Sequence, residues 1–284
     1  ELPDGDFPTA PYPNPEIRQA FECAIRLAGA VRPDILLATD PDCDRVGMAV
    51  ADGGDYRLMT GNEIGCLLLH YILSCKSAAG KLPEVLTGFK YIGEQITNLE
   101  KEGQAGRYVF GFEESYGYLS GTHVRDKDGV VASMLVCEMT AYYKEQGKSL
   151  IQVLNGLYQE HGVYQNTLIN AEFEGAQGME TMKKLMAGLR ENRPEEIAGL
   201  RVIKFADYQS SQAVDVQTGR TKQINLPKSN VLSFGLEGNA GLIVRPSGTE
   251  PKIKAYITAT GSDAAKASAM AERLTEAAKK LLKV

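Results

Sequence analysis

The stretch "ILLATDPDCDRVGMAV" carries an apolar run straight into Asp40, Asp42 and Asp44, spaced two apart, with Arg45 directly behind them. In an extended loop alternate residues point the same way, so three such carboxylates repel one another unless positive charge lies between them. A divalent cation meets that need. Hard oxygen donors that leave positions open suit magnesium, which keeps water or a phosphate oxygen on its remaining sites. The spacing begins like a helix-loop-helix calcium site, but the sixth position is Arg45 instead of glycine and the twelfth is Ala51 instead of glutamate, so that reading fails. A hydrolase pattern in which the first aspartate of Asp-x-Asp is a nucleophile leaves the third aspartate and Arg45 without a role. The plain alternative is a solvated acidic turn.

Two further loops hold groups of complementary chemistry. In "RPSGTEPKIKAY", Arg245 offers a planar fork of donors, Ser247 and Thr249 offer hydroxyls, and Gly248 lets a backbone N–H approach closely. That set describes a cradle for a dianion such as a phosphate monoester; the alternative is a Pro-Gly turn with an incidental arginine. In "GFEESYG", Glu113 can accept hydrogen bonds from adjacent sugar hydroxyls and Ser115 can complete the ring of contacts, although paired glutamates in a loop are commonly just solvated. Lys90 in "TGFK" falls in the first turn of a helix, where lysine is ordinarily at the surface.

The elements that must position these loops follow from periodicity. Residues 16–29 predict a helix with Ile17, Phe21, Ala24, Ile25 and Ala28 on one stripe and Gly29 as its stop. "ILLATD" predicts a buried strand, and the sequence after it a hairpin turning at Gly53 and Gly54. A helix from Asn62 to about Cys75 carries Ile64, Leu67, Leu68, Tyr71 and Ile72, with Asn62 as cap. "TGFKYIGEQITNLEKEG" gives a turn and a helix, and "RYVFGF" a short strand. Asp128 can cap the helix after it, and Ser149 with Gln152 forms a capping box for the next. This cadence is that of α/β layers, built on a mixed sheet. From about Thr167 it changes to grouped strands with two helices, a smaller α+β domain, the last helix resting on Met270, Leu274 and Leu281.

Composition bounds the rest. The chain of 284 residues with 43% hydrophobic content is long enough for about two domains, and a net charge of -5 without a Lys/Arg cluster argues against nucleic acid or an anionic membrane as partner. No apolar run approaches a spanning helix and no signal peptide opens the chain, so a cytoplasmic location is expected. Five cysteines without a CxxC pair fit reduced thiols, with Cys66, Cys75 and Cys137 expected in the core. The first residue is Glu1, as expected of an excised piece.

Taken in order, "DPDCDR", "TGFKYIG", "GFEESYGYLSGTHVRDKDG" and "RPSGTEPK" resemble the phosphohexomutase superfamily, and its bacterial phosphoglucomutases in particular. The resemblance runs over nearly the whole chain and implies an enzyme that moves a phosphoryl group between the 1- and 6-positions of a hexose by way of a bisphosphate. It implies magnesium on Asp40, Asp42 and Asp44, and Arg45 beside the transferring phosphoryl group. Glu113 and Ser115 would contact sugar hydroxyls, and Lys90 would touch substrate as a candidate general acid or base. Arg245, Ser247, Gly248 and Thr249 would hold the phosphate that is not reacting. It further implies three domains of a four-domain parent: the end of the metal-loop domain at 1–60, a sugar-recognition α/β domain at 61–165 and a phosphate-binding α+β domain at 166–284.

Two departures stand out. The family's phosphoserine segment, similar to "TASHNP", has no counterpart here, so the N-terminal domain that carries the phosphoryl group is expected in the parent protein and the isolated chain is expected to be inactive. The segment "SCKSAAGKLPEVLTGFK" is also too short for the strand, helix and strand that the family places there. A noncatalytic sugar-phosphate binding protein and a metal-dependent phosphatase stay open as alternatives.

Overall fold

A computed structural model describes residues 4–76, 85–173, 177–247 and 250–284. The chain divides into two compact units, Glu1–Gly156 and Leu157–Val284. The shortened segment noted in the sequence is centred on residues 77–84, outside the described residues.

The N-terminal unit begins with a short 3-10 turn, Arg18–Phe21, that runs into α1 (Glu22–Val31). Phe21 and Ala28 pack with Leu36 and Ala49 in a small core. The helix does not stop at Gly29. It continues to Val31 because Arg32 takes the left-handed cap at φ 51° and returns its N–H to the Ala28 carbonyl, after which Pro33 cannot extend the ladder.

Strands β1 (Ile35–Thr39), β2 (Val46–Asp52) and β3 (Asp55–Leu58) form an antiparallel sheet in that order. The central β2 buries Val46 to Val50, whereas β1, expected to be buried, is an edge strand in which only Leu36 is fully covered. Gly53 at φ 58° and Gly54 at φ 99° make the turn between β2 and β3, a conformation that residues with a Cβ adopt only under strain.

Helix α2 (Gly61–Lys76) buries Ile64, Leu67, Leu68, Tyr71 and Ile72 as the periodicity predicts. Its cap is Thr60 and not Asn62: the Glu63 N–H donates to Thr60 Oγ1 at 3.2 Å while the Thr60 N–H donates to Glu63 Oε2 at 2.8 Å, a reciprocal capping box. Helices α3 (Phe89–Lys101), α4 (Gly129–Glu145) and α5 (Leu150–His161) follow, with β4 (Gly111–Glu113) and β5 (Gly117–Leu119) forming a two-stranded hairpin between α3 and α4. The strand expected over 107–112 is confined to its last residues because β5 offers only three partners. Ser149 and Gln152 make the predicted capping box. Cys66, Cys75 and Cys137 are exposed instead of buried, since each lies off the stripe that α2 or α4 turns inward.

The C-terminal unit is an antiparallel sheet flanked by two helices. Its strands are β6 (Val163–Glu172), β7 (Glu196–Ile197), β8 (Leu200–Asp207), β9 (Gln212–Asp215), β10 (Thr221–Gln223), β11 (Leu232–Leu236), β12 (Gly241–Pro246) and β13 (Lys252–Gly261). The order is β10-β9-β8-β11-β12-β13-β6, with β7 paired to β8. Helices α6 (Gly178–Glu191) and α7 (Ala264–Leu282) share one core with the sheet, where Met186, Leu274 and Leu282 meet Phe234, Leu242 and Ile257. Burial of each large side chain stabilises by roughly 1.5–3 kcal/mol, against about 1 kcal/mol for the Asp263 cap of α7, so packing fixes that helix more than capping does.

Candidate active site

The pairing of Thr39 with Val46 makes residues 40–45 the six-residue loop of the β1–β2 hairpin. Asp40 closes it from inside. Its carboxylate is almost wholly buried and accepts the Arg45 backbone N–H at 3.0 Å and Arg45 Nε at 2.7 Å. Burial alone would lift this carboxyl, but the two Arg45 contacts outweigh it and hold Asp40 below the usual aspartate range. The chain turns at Cys43, whose φ is 57° and whose N–H donates to the Asp40 carbonyl at 3.1 Å. The result brings one carboxylate oxygen from each of Asp40, Asp42 and Asp44 within 4.8 Å of one another.

Arg45 is tethered on its far side as well, donating to Glu16 Oε1 at 3.0 Å. Asp44 differs from Asp40: burial, helped by the Asp40 charge, raises its carboxyl against the pull of Lys127, whose Nζ is 2.9 Å away. Two cationic side chains therefore already answer part of the repulsion within the loop, and Asp42 is its exposed member.

The sugar-loop candidates sit against this hairpin. Register pairs Glu113 with Gly117, leaving Glu114, Ser115 and Tyr116 as a three-residue loop with Tyr116 at φ 66°. The Val46 N–H donates to the Tyr116 carbonyl at 3.0 Å, and Arg45 forms an isolated bridge with Gly117, so the two loops are stitched backbone to backbone. Buried hydroxyls of Tyr116 and Tyr118 donate to the carbonyls of Met59 and Gly61 and fix the hairpin to the start of α2. Glu113 is half-buried, and burial raises its carboxyl, aided by Glu114 and Asp126 and opposed by Lys127 and the Phe89 N–H. That N–H belongs to the first turn of α3, which also bears the exposed Lys90, its Nζ 5.0 Å from the Tyr91 ring centroid. Ser115 is half-buried in the loop itself.

Lys127 and Glu16 belong to this neighbourhood and were not singled out by sequence. Lys127 sits between two aspartates in "RDKDG" and reads as a solvated turn; only the approach of the β1–β2 loop reveals it. In the C-terminal unit, Arg245 is the penultimate residue of β12, paired with Lys254 of β13, and is half-buried; among the described residues its side chain has no hydrogen-bond or ion-pair partner. Ser247 Oγ accepts the Glu250 N–H at 3.3 Å. Gly248 and Thr249 lie outside the described residues.

Three family models cover the chain in sequence: Phosphoglucomutase/phosphomannomutase alpha/beta/alpha domain II at residues 1–54, alpha/beta/alpha domain III at 61–161, and the C-terminal domain at 168–277. The chain belongs to the phosphoglucomutase/phosphomannomutase family. A phosphoglucomutase from Staphylococcus aureus is 38% identical over 280 residues, the match covering 90% of this chain and 50% of that protein. One from Staphylococcus epidermidis is 37% identical over 281 residues with the same coverage. The chain thus spans about half the length of the curated relatives it matches. Among solved structures, a family member from Burkholderia thailandensis superposes with a TM-score of 0.60 at 17% identity, over 99% of this chain and 53% of that one. The parafusin phosphoglucomutase of Paramecium gives 0.59 at 17% identity, over 88% and 45% respectively. These two likenesses support the fold.

The donors that Asp40, Asp42 and Asp44 offer are all carboxylate oxygens, clustered closely enough to hold one metal ion. No helix among the described residues is long and apolar enough to cross a membrane.

Proposed function

We propose that this chain is the metal-, sugar- and phosphate-binding part of a cytoplasmic phosphoglucomutase-type enzyme. The reaction would interconvert hexose 1-phosphate and hexose 6-phosphate through a bisphosphate, with the phosphoserine on an N-terminal domain of the parent. The observation that carries this reading is the convergence of Asp40, Asp42 and Asp44 in a chain of this family. Asp40, Asp42 and Asp44 would hold Mg2+, which when bound neutralises charge on the transferring phosphoryl group. Arg45, already aligned by Asp40 and Glu16, would place its guanidinium beside that group. Glu113 would accept hydrogen bonds from sugar hydroxyls, Ser115 would complete them, and Lys90 would touch substrate and move a proton at the reacting oxygen. Arg245, Ser247, Gly248 and Thr249 would cradle the distal phosphate, the bidentate guanidinium being the strongest single contact. The division proposed is metal loop at 1–60, sugar recognition at 61–165 and phosphate binding at 166–284.

A noncatalytic sugar-phosphate binder is the second reading, since Glu113, Ser115 and the Arg245 loop offer contacts to a sugar phosphate that need no phosphoryl carrier. A coupled assay for glucose 6-phosphate from glucose 1-phosphate, glucose 1,6-bisphosphate and Mg2+ separates them. The chain alone should show no turnover, and adding the N-terminal domain of a relative should restore it. Robust turnover alone would place the phosphoryl carrier in this chain. No restoration would favour the binder, and phosphate release from simple monoesters would favour a phosphatase. Calorimetric titration of Mg2+ should lose its heat in Asp42→Ala.

A further inference from the structure

The ion pairs around Asp44 bear on how the metal site is loaded. Both of its oxygens face cations: Lys127 Nζ lies 2.9 Å from Oδ2, and Arg45 Nε lies 3.8 Å from Oδ1. An ammonium and a divalent ion on one carboxylate share its charge and repel each other, so an ion that binds Asp44 competes with these cations for it. Arg45 is the harder to move, being bound to Asp40 through its backbone and its side chain and to Glu16 and Asn14 besides. Lys127 has an alternative anchor, since its Nζ is also 3.0 Å from Asp126 Oδ1.

The course of the Lys127 stem is built into the fold. Its side chain is only 16% exposed and runs over Gly117, where a Cβ would stand 2.1 Å from Lys127 Cδ. Its ammonium lies 5.7 Å from the Phe89 ring centroid, at the start of α3.

We infer that Lys127 is a resident competitor for the divalent cation: it occupies Asp44 in the metal-free chain and gives that carboxylate up, retreating to Asp126, when the ion binds. This rests on reading Asp40, Asp42 and Asp44 as the metal site.

The test is calorimetric titration of Mg2+ into the chain, Lys127→Met and Lys127→Arg. Removing an ion pair of this kind should tighten binding by on the order of two- to fivefold in Lys127→Met. Lys127→Arg, which keeps the competing charge, should stay within about a factor of two of the parent. Equal or weaker binding by Lys127→Met, with the parent binding Mg2+, overturns the competitor role alone. Heat absent from parent and variants alike overturns the metal reading and this inference together. The unsubstituted chain gives an independent readout by NMR with its lysine side chains labelled at Cε. The Lys127 resonance should move as Mg2+ saturates the site, and a resonance that stays in place overturns the proposal even if the variants fail to fold.

Discussion

Asp128 serves three partners with one carboxylate. Oδ1 accepts the N–H groups of Val130 at 2.9 Å and Val131 at 3.0 Å, capping α4, and Oδ2 meets His123 Nε2 at 2.8 Å. Burial would raise this carboxyl, but His123 and the two N–H groups outweigh it and set it below the ordinary value of 3.8. A depressed folded-state pKa gives stability that is complete above 3.8 and is lost as pH falls through the lower, folded value. Asp128→Ala should therefore cost about 1 kcal/mol near neutrality, and in urea unfolding the gap to the parent should narrow below pH 3.8. A gap constant down to strong acid would show that ionisation of Asp128 contributes nothing. The role of Asp128 as a cap was legible because Asp before an apolar helical repeat has few other uses. The three aspartates were legible for a similar reason, since like charges at this spacing demand a counter-charge. Lys127 was not, because its partner Asp44 is remote in sequence and meets it only through tertiary pairing.

At the scale of elements, the metal loop is held by its surroundings as much as by its own turns. The N–H of Gly129 donates to the Cys43 carbonyl at 2.9 Å, and a Cβ at position 129 would stand 2.6 Å from that oxygen. Gly129→Ala should therefore push the loop off the start of α4, with a loss of about 1–3 kcal/mol and weaker Mg2+ binding. Gly29→Ala is the control: it lies within α1 with nothing within 4 Å of the added Cβ, and should stabilise by roughly 0.5–1 kcal/mol. Paired urea unfolding curves check both, and destabilisation of equal size in the two would mean that close approach at Gly129 is not the cause. Most element types were legible from period, whereas their ends were less so. Thr60 displaced Asn62 as cap because Glu63 completes a reciprocal box only with Thr60, and the strand ending in Glu113 is short because its partner is.

For the whole molecule, the change of cadence revealed α/β layers followed by an α+β unit, but the strand order of the second unit was not legible. Alternation tells which face of a strand is buried and says nothing about its neighbour. The most remote pairing is also the most extensive: β6, the first strand of the unit, pairs along its full length with β13, from Val163 opposite Gly261 to Glu172 opposite Lys252. Since β6 lies at the sheet edge, β13 is its single neighbour. Synthesis from the N-terminus therefore leaves β6 waiting on the ribosome, a finished strand with no hydrogen-bonding partner, until nearly the whole chain has emerged. A nascent chain halted after residue 250 should yield a protease-resistant fragment from Glu1–Gly156 and none from the residues beyond it. Protection of the later residues in that halted chain would mean that the sheet closes by some other order. The unit that carries Arg245 is thus the one most exposed to misfolding when translation stalls, and demand for a chaperone should concentrate in the interval between the emergence of β6 and that of β13.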